Sequence, residues 1–112
     1  MAKKSLLIIG AVWVEPNSSA AGSRMLQLIE LFLQQDYAIT FATTTHKTEN
    51  AFDLKSIGID EVSIELNSSS FDDFAKELNP TIVLFDRFMI EEQFGWRVAE
   101  NCPNAIRILD TE

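Results

Sequence analysis

Two uninterrupted apolar runs constrain the fold of this chain more than any other feature of its sequence. Residues 6–9 read Leu-Leu-Ile-Ile and residues 82–85 read Ile-Val-Leu-Phe, with no polar side chain in either run. A strand needs such a run when helices cover both of its faces, as in the middle of a parallel sheet. The two runs therefore predict an α/β fold with both of these strands near the centre of its sheet.

The rest of the chain alternates between strand-like and helix-like patterns. Residues 23–35 place apolar side chains at helical spacing, whereas residues 61–66 alternate polar and apolar side chains as an edge strand does. Gly58 is expected to cap a short helix at its carboxyl end, and Ser70 to cap a later helix at its amino end. The pattern predicts strands over residues 5–9, 37–43, 61–66, 81–85 and 105–109, and helices over residues 23–35, 51–57, 71–78 and 91–101.

This alternation predicts a single α/β domain over residues 1–112, with right-handed crossovers and helices on both faces of a parallel sheet. The apolar first and fourth strands belong at the centre, and the alternating third strand belongs at an edge. A flavodoxin-like order would place the third strand in the centre, where its Glu61 and Glu65 fit poorly. We therefore expect a Rossmann-like sheet of about five strands in the order 3-2-1-4-5.

The expected strand order gathers several polar residues at one edge of the sheet. Ligands of open α/β sheets bind outside the carboxyl ends of the strands, at the point where the strand order reverses. The loop of residues 13–24, the Asp86-Arg87 pair and residues 110–112 should all lie along that edge. Asp86, Asp110 and Glu112 are the candidate catalytic residues. Capping of the following loops is the alternative role for Asp86 and Asp110.

Arg24 is expected in the first turn of the first helix, where a cation opposes the helix dipole by on the order of a few tenths of a kcal/mol. One compensating role is recognition of an anion together with the free backbone amides of that turn. The alternatives are an ion pair with a strand-end carboxylate such as Asp86, or simple exposure to solvent. The sequence alone favours none of these roles.

Several functional classes are disfavoured by the sequence. A net charge of −8 disfavours nucleic-acid binding, which depends on Lys and Arg at phosphates. No Gly-x-Gly-x-x-Gly follows Gly10, and no Gly-Lys-Ser/Thr occurs, which argues against dinucleotide-dependent oxidoreductases and P-loop proteins. The chain has one histidine, His46, and one cysteine, Cys102, so no familiar set of metal ligands can be assembled. We expect neither a metal nor a cofactor.

The cysteine count and the hydropathy pattern also bear on location. A single cysteine excludes an intramolecular disulfide and fits a reducing compartment. No segment approaches the roughly twenty consecutive apolar residues that a membrane-spanning helix needs. We therefore expect a soluble, cytoplasmic protein without a transmembrane segment.

Three stretches of the chain carry a family resemblance. The first has two parts, Leu-Leu-Ile-Ile-Gly at residues 6–10 and then Pro-Asn-Ser-Ser-Ala-Ala-Gly-Ser-Arg-Met at residues 16–25. The other two are the strand ends of residues 82–88 and 106–112. Together they resemble the amino-terminal domain of bacterial glycosyltransferases with the GT-B fold, of the group 1 kind. The resemblance covers essentially the whole chain, and the loop over residues 16–25 is its most specific part.

In that family two Rossmann-like domains face each other across a cleft. The first domain usually supplies most contacts to the acceptor, and the second usually holds the nucleotide-sugar. Ala21-Gly22 stands where many members have Gly-Gly, and Asp110-Thr111-Glu112 stands where a His-Asp pair is familiar, so the resemblance assigns no general base. The substrate-binding residues that it implies are Ser18, Ser19, Ala21, Gly22, Arg24 and Arg87.

The resemblance implies that residues 1–112 are the acceptor-side half of a larger two-domain glycosyltransferase, inactive without the domain that binds the donor. Its partners would be a nucleotide-sugar, a sugar or glycan acceptor, and that second domain. An isolated half should also expose an apolar patch, for which Trp13, Val14 and Phe88 are the candidates. The alternative is a stand-alone α/β ligand-binding or signalling module without catalysis, although the acidic pocket of a receiver domain is lacking.

Overall fold

A computed structural model of the chain describes residues 4–10, 20–45, 51 and 53–110. Strands and helices alternate along these residues, as the apolar pattern predicts. The strands are β1 (Ser5–Gly10), β2 (Ala38–Thr43), β3 (Asp60–Ser63), β4 (Ile82–Asp86) and β5 (Ile106–Asp110). The helices are α1 (Ala20–Gln34), α2 (Ser69–Leu78) and α3 (Phe88–Asn101), and a short 3-10 helix covers Leu54–Ile57.

These strands form one parallel sheet in the order β3-β2-β1-β4-β5. The order confirms the Rossmann-like prediction, including the reversal between β1 and β4. The apolar runs of β1 and β4 are buried along their length because each strand has a neighbour on both sides and helices above and below. Strand β3 lies at an edge and exposes Asp60 and Ser63 to solvent.

Two apolar cores lie on opposite faces of the sheet. Because successive side chains of a strand alternate, Leu6 and Ile8 of β1 pack with α1, whereas Leu7 and Ile9 pack with α2 and α3. The helices therefore cover both faces, as predicted. The α1 core includes Met25, Ile29, Ile39, Phe41, Leu54, Ile82 and Leu84, and the other core includes Phe71, Ala75, Val83, Phe85, Phe94, Val98 and Cys102.

The same alternation divides the side chains of β5. Leu109 packs against the core of α2 and α3, whereas Ile106 and Ile108 are in register with Ile82 and Leu84 and so belong to the α1 face. Ile106 is 58% exposed and Ile108 is 39% exposed. The α1 core draws on β1, β2 and β4, so the α1 face of β5 is left open to solvent.

Some element boundaries differ from the sequence prediction. Ser68, not Ser70, caps α2, and its hydroxyl accepts a hydrogen bond from the backbone N–H of Ser70 at 3.2 Å. Strand β3 ends at Ser63 rather than at residue 66, because its only neighbour in the sheet, β2, ends at Thr43, which is in register with Ser63. Helix α3 begins at Phe88 rather than at residue 91.

The helix predicted over residues 51–57 is confirmed only in part. Its regular portion is the 3-10 helix Leu54–Ile57, which buries Leu54. Gly58 closes it in the left-handed conformation, with φ 85°, and its N–H donates to the carbonyls of Leu54 and Lys55. This confirms Gly58 as the carboxyl-terminal cap, a position that favours glycine because the conformation is costly for other residues.

None of the helices in the described part of the chain is both long enough and apolar enough to cross a bilayer.

Candidate functional site

Two aspartates end neighbouring strands at the carboxyl edge of the sheet. Asp86 is the last residue of β4, Asp110 is the last residue of β5, and the two are paired in the strand register. By strand alternation both side chains belong to the α1 face. Asp110 is 8% exposed and the side chain of Asp86 is 14% exposed. Carboxylates with so little contact to water need polar partners, because burying an unpaired charge is costly.

Arg24 of α1 is such a partner. Its Nη1 donates to Oδ2 of Asp110 at 2.6 Å, the length of a strong charge-assisted hydrogen bond. Of the roles open to Arg24 from the sequence, the structure therefore shows the ion pair with a strand-end carboxylate, and the carboxylate is that of Asp110. The Arg24 side chain is still 46% exposed, so part of the guanidinium faces solvent.

Arg87 follows Asp86 in a strained backbone conformation. Its φ of 83° and ψ of 153° fall in a region that essentially only glycine populates. The Arg87 N–H donates to the carbonyl of Asp110 at 2.8 Å, and this bond ties the turn to β5. Arg87 Nε lies 3.9 Å from Oδ1 of Asp86, so a second guanidinium stands beside the second carboxylate.

The strand ends beside the switch point are tightly packed. Gly10 ends β1, and a Cβ at this position would collide with the ring of Phe41 on β2. At the end of β2, Thr43 is fully buried, and its Oγ1 lies 2.8 Å from Oγ1 of Thr45. The Thr45 backbone N–H also donates to Thr43 Oγ1 at 3.3 Å. At this edge, Gly10 is therefore closely packed against Phe41, and Thr43 and Thr45 are hydrogen-bonded to each other.

The structure describes some of the site residues that the sequence predicts but not others. Arg24, Asp86, Arg87 and Asp110 are brought to one edge, as the strand order predicts. Ala21 and Gly22 lie in the first turn of α1, since the helix begins at Ala20 rather than near residue 23. The predicted site residues Ser18, Ser19 and Glu112, with Trp13, Val14 and His46, lie outside the described residues.

Sequence reasoning missed two features of this edge. One is the contact between Thr43 and Thr45, for which three consecutive threonines after a strand were the available signal. The other is the close contact of Gly10 with Phe41. It could not be predicted from the residues next to Gly10 in the sequence, because Phe41 lies on the neighbouring strand.

Comparison of the chain with protein-family models, curated proteins and solved structures finds no match. Function must therefore be argued from the edge itself. Across residues 4–10, 20–45, 51 and 53–110, no group of three or more His, Cys, Asp and Glu side chains is arranged to hold a metal ion.

The chemistry of this edge is that of two acids beside two guanidinium groups. Carboxylates accept hydrogen bonds and guanidinium groups donate them, so together they suit a ligand whose hydroxyls do both. A carboxylate in such a place can also take a proton from a hydroxyl. Arg24 and Asp110 already neutralise each other, so the edge is not a simple anion trap.

Cys102 lies away from this edge and is chemically quiet. It is 3% exposed, and its Sγ donates to the carbonyl of Ala75 at 3.3 Å in the core of α2 and α3. Burial raises the pKa of the Cys102 thiol, which disfavours the reactive thiolate.

Proposed function

We propose that this domain is the acceptor-side half of a glycosyltransferase that moves a sugar from a nucleotide-sugar to a hydroxylated acceptor. The observation that carries the proposal is the convergence of Asp86, Asp110 and Arg24 at the carboxyl edge of β4 and β5. The resemblance of residues 16–25 and of the strand ends to GT-B glycosyltransferases supports it. A second domain would hold the donor.

The reaction needs a group that takes the proton of the acceptor hydroxyl. The hydroxyl oxygen forms a bond to the anomeric carbon, the bond from that carbon to the donor phosphate breaks, and the nucleoside diphosphate leaves. Asp86 and Asp110 are the two candidate carboxylates for accepting this proton. Arg24 holds the Asp110 carboxylate in place through the 2.6 Å contact and is a positioning residue.

Sugar transfer is tested with the whole gene product and with residues 1–112 in parallel. Each is incubated with UDP-, GDP- and dTDP-sugars and a panel of sugar acceptors, and products are detected by mass spectrometry. We expect turnover from the whole protein and none from residues 1–112, because the donor site lies in the second domain. Robust transfer by residues 1–112 alone would refute the proposal.

The role of the strand-end acids is tested by Asp86→Asn and Asp110→Asn in the whole protein. Asp72→Asn is the matched control, since Asp72 also pairs with an arginine, Arg97, at 2.9 Å, but between α2 and α3 on the other face. Loss of a proton acceptor typically costs about a hundredfold or more in rate. We expect such a loss in at least one edge variant and less than a twofold change in Asp72→Asn. Equal losses in all three variants would show only general damage to the fold.

A stand-alone ligand-binding module is the second candidate. One observation favours it: the domain has an apolar core on each face of its sheet, which suits folding without a partner. This candidate predicts that the whole protein binds a small ligand at the β4–β5 edge and turns nothing over. Ligand-dependent chemical shifts at Asp110 without product formation would favour it over the transferase.

A further inference from the structure

A groove runs between α1 and β5 on the open face of the sheet. Its volume is about 260 Å³, and its floor and walls are mostly aliphatic or aromatic. Leu84 forms part of the buried floor, while Ile108 is 39% exposed and continues the apolar surface outwards. The lining residues are Arg24, Leu28, Phe32, Leu84, Ile108, Leu109 and Asp110.

One end of this groove is polar and the rest is not. Arg24 and Asp110 stand at that end, joined by their 2.6 Å contact. A ligand that filled the groove would place an apolar chain along Leu28, Phe32 and Ile108 and a polar head beside the ion pair. The groove therefore matches an amphiphile rather than a uniformly polar molecule.

The charges at the polar end select the kind of head group. A charged head of either sign would lie beside one like charge as well as one opposite charge: a carboxylate beside Asp110, with Asp86 next to it in the strand register, and an ammonium beside Arg24. An uncharged head with several hydroxyls has no such conflict, because it can donate to the carboxylate and accept from the guanidinium. Charge complementarity thus favours a neutral, hydroxylated head.

We propose that the groove between α1 and β5 binds a single-chain amphiphile with an uncharged, hydroxylated head group. The apolar chain lies over Leu84 between α1 and Ile108, and the head contacts Arg24 and Asp110. The polar end of the groove is the Arg24–Asp110 pair that the proposed transferase also uses. Binding is measured without a sugar donor, so a failure to bind and a failure to transfer sugar are distinguishable.

The test uses n-hexyl, n-heptyl and n-octyl β-D-glucopyranoside below their micelle concentrations, titrated into the isotope-labelled chain and followed by NMR. Each methylene that enters an apolar site strengthens binding by up to about fourfold. We expect affinity to rise about two- to fourfold per methylene, with shifts centred on Leu28, Phe32 and Ile108. Octanoate and octylammonium should bind at least about tenfold more weakly than the octyl glucoside.

Ile108→Asp places a charge on the groove wall and should weaken binding of the octyl glucoside at least about tenfold. The matched control is Met89→Asp, which alters an exposed apolar side chain of α3, a helix that packs on the opposite face. Both positions are exposed, so both variants should fold, which circular dichroism verifies. The control should bind the octyl glucoside as the unmodified chain does.

Three results would overturn the proposal. One is an affinity that does not change with chain length, because the groove would then not hold the apolar tail. Another is octanoate or octylammonium binding as tightly as the glucoside. The third is self-association of the chain that Ile108→Asp abolishes while the octyl glucoside fails to bind, because the occupant of the groove would then be a second copy.

Discussion

Arg24 and Arg87 offer a matched comparison at the scale of single residues. Their side chains are 46% and 45% exposed, yet Arg24 lies 2.6 Å from its carboxylate and Arg87 lies 3.9 Å from its own. Exposure is equal, so distance should decide which pair matters for stability. A short charge-assisted hydrogen bond contributes more than a long, exposed ion pair.

We expect Arg24→Ala to lower the free energy of unfolding by about 1 kcal/mol, since solvent at the half-exposed guanidinium weakens the bond. Arg87→Ala should lower it by less than about 0.5 kcal/mol. Urea denaturation measures both values. The double variant Arg24→Ala with Asp110→Asn should show a coupling energy of about 1 kcal/mol, and additive effects would contradict a direct pair.

Backbone strain at Arg87 leads to a second prediction. Its φ of 83° and ψ of 153° cost on the order of 1–3 kcal/mol for a residue with a Cβ. Arg87→Gly removes that cost, and the added flexibility of the unfolded chain takes back about 0.5–1 kcal/mol. Thermal unfolding should show Arg87→Gly to be more stable than Arg87→Ala, which keeps the strain. A glycine variant less stable than the alanine variant would contradict the strain.

The buried thiol of Cys102 predicts a pH dependence. Because burial raises its pKa, folding favours the neutral thiol, and this contribution to stability is complete below the ordinary thiol pKa of about 8.5. It is lost as the pH rises through the raised pKa. The stability difference between the unmodified chain and Cys102→Ala should therefore be constant up to about pH 8 and shrink above it. A stability difference that grows with pH would contradict the raised pKa of Cys102, because it would indicate a lowered one.

At the scale of elements, the amino-terminal cap of α2 separates what the sequence predicts from what the structure shows. Ser68, Ser69 and Ser70 are consecutive, and propensity alone ranks them equally as caps. Only Ser68 has extended backbone angles, with φ −119° and ψ 136°, and accepts the N–H of Ser70. The choice depends on how the chain arrives from β3, which no local pattern contains.

Ser68→Ala should lower the free energy of unfolding by about 0.5–1 kcal/mol, because one backbone N–H of the first turn loses its acceptor. Ser69→Ala is the matched control at an exposed serine inside the helix and should change stability by less than about 0.3 kcal/mol or raise it slightly. Chemical denaturation distinguishes them. A larger loss of stability from Ser69→Ala than from Ser68→Ala would contradict Ser68 as the cap.

The strand order was predictable because the apolar runs of residues 6–9 and 82–85 leave few places for those strands, and the charged third strand suits only an edge. The same order predicted that Asp86 and Asp110 would meet. The partner of Arg24 was not predictable, since Asp86 and Asp110 end adjacent strands in register and both belong to the α1 face. Side-chain contacts between elements depend on how the helices and strands are placed in space, whereas the strand order follows from which strands are buried.

At the scale of the whole molecule, stability should be graded across the sheet. Strands β1 and β4 are buried and have neighbours on both sides, whereas β3 is short and exposed at an edge. Amides in buried central strands exchange only through large-scale unfolding. Native-state hydrogen exchange should therefore show the slowest amides at residues 6–9 and 82–85 and faster exchange in β3. Uniform protection across all strands would contradict this gradient.

The bond between Arg24 and Asp110 joins the first helix to the last strand of the sheet, 86 positions apart. A ribosome that releases the chain from its amino end has exposed α1 well before residue 110 emerges. Until then Arg24 cannot meet Asp110, and closing so long a loop is entropically slow. The anchoring of α1 at this edge is thus a late event of biosynthesis, because the ribosome adds Arg24 many seconds before it adds Asp110.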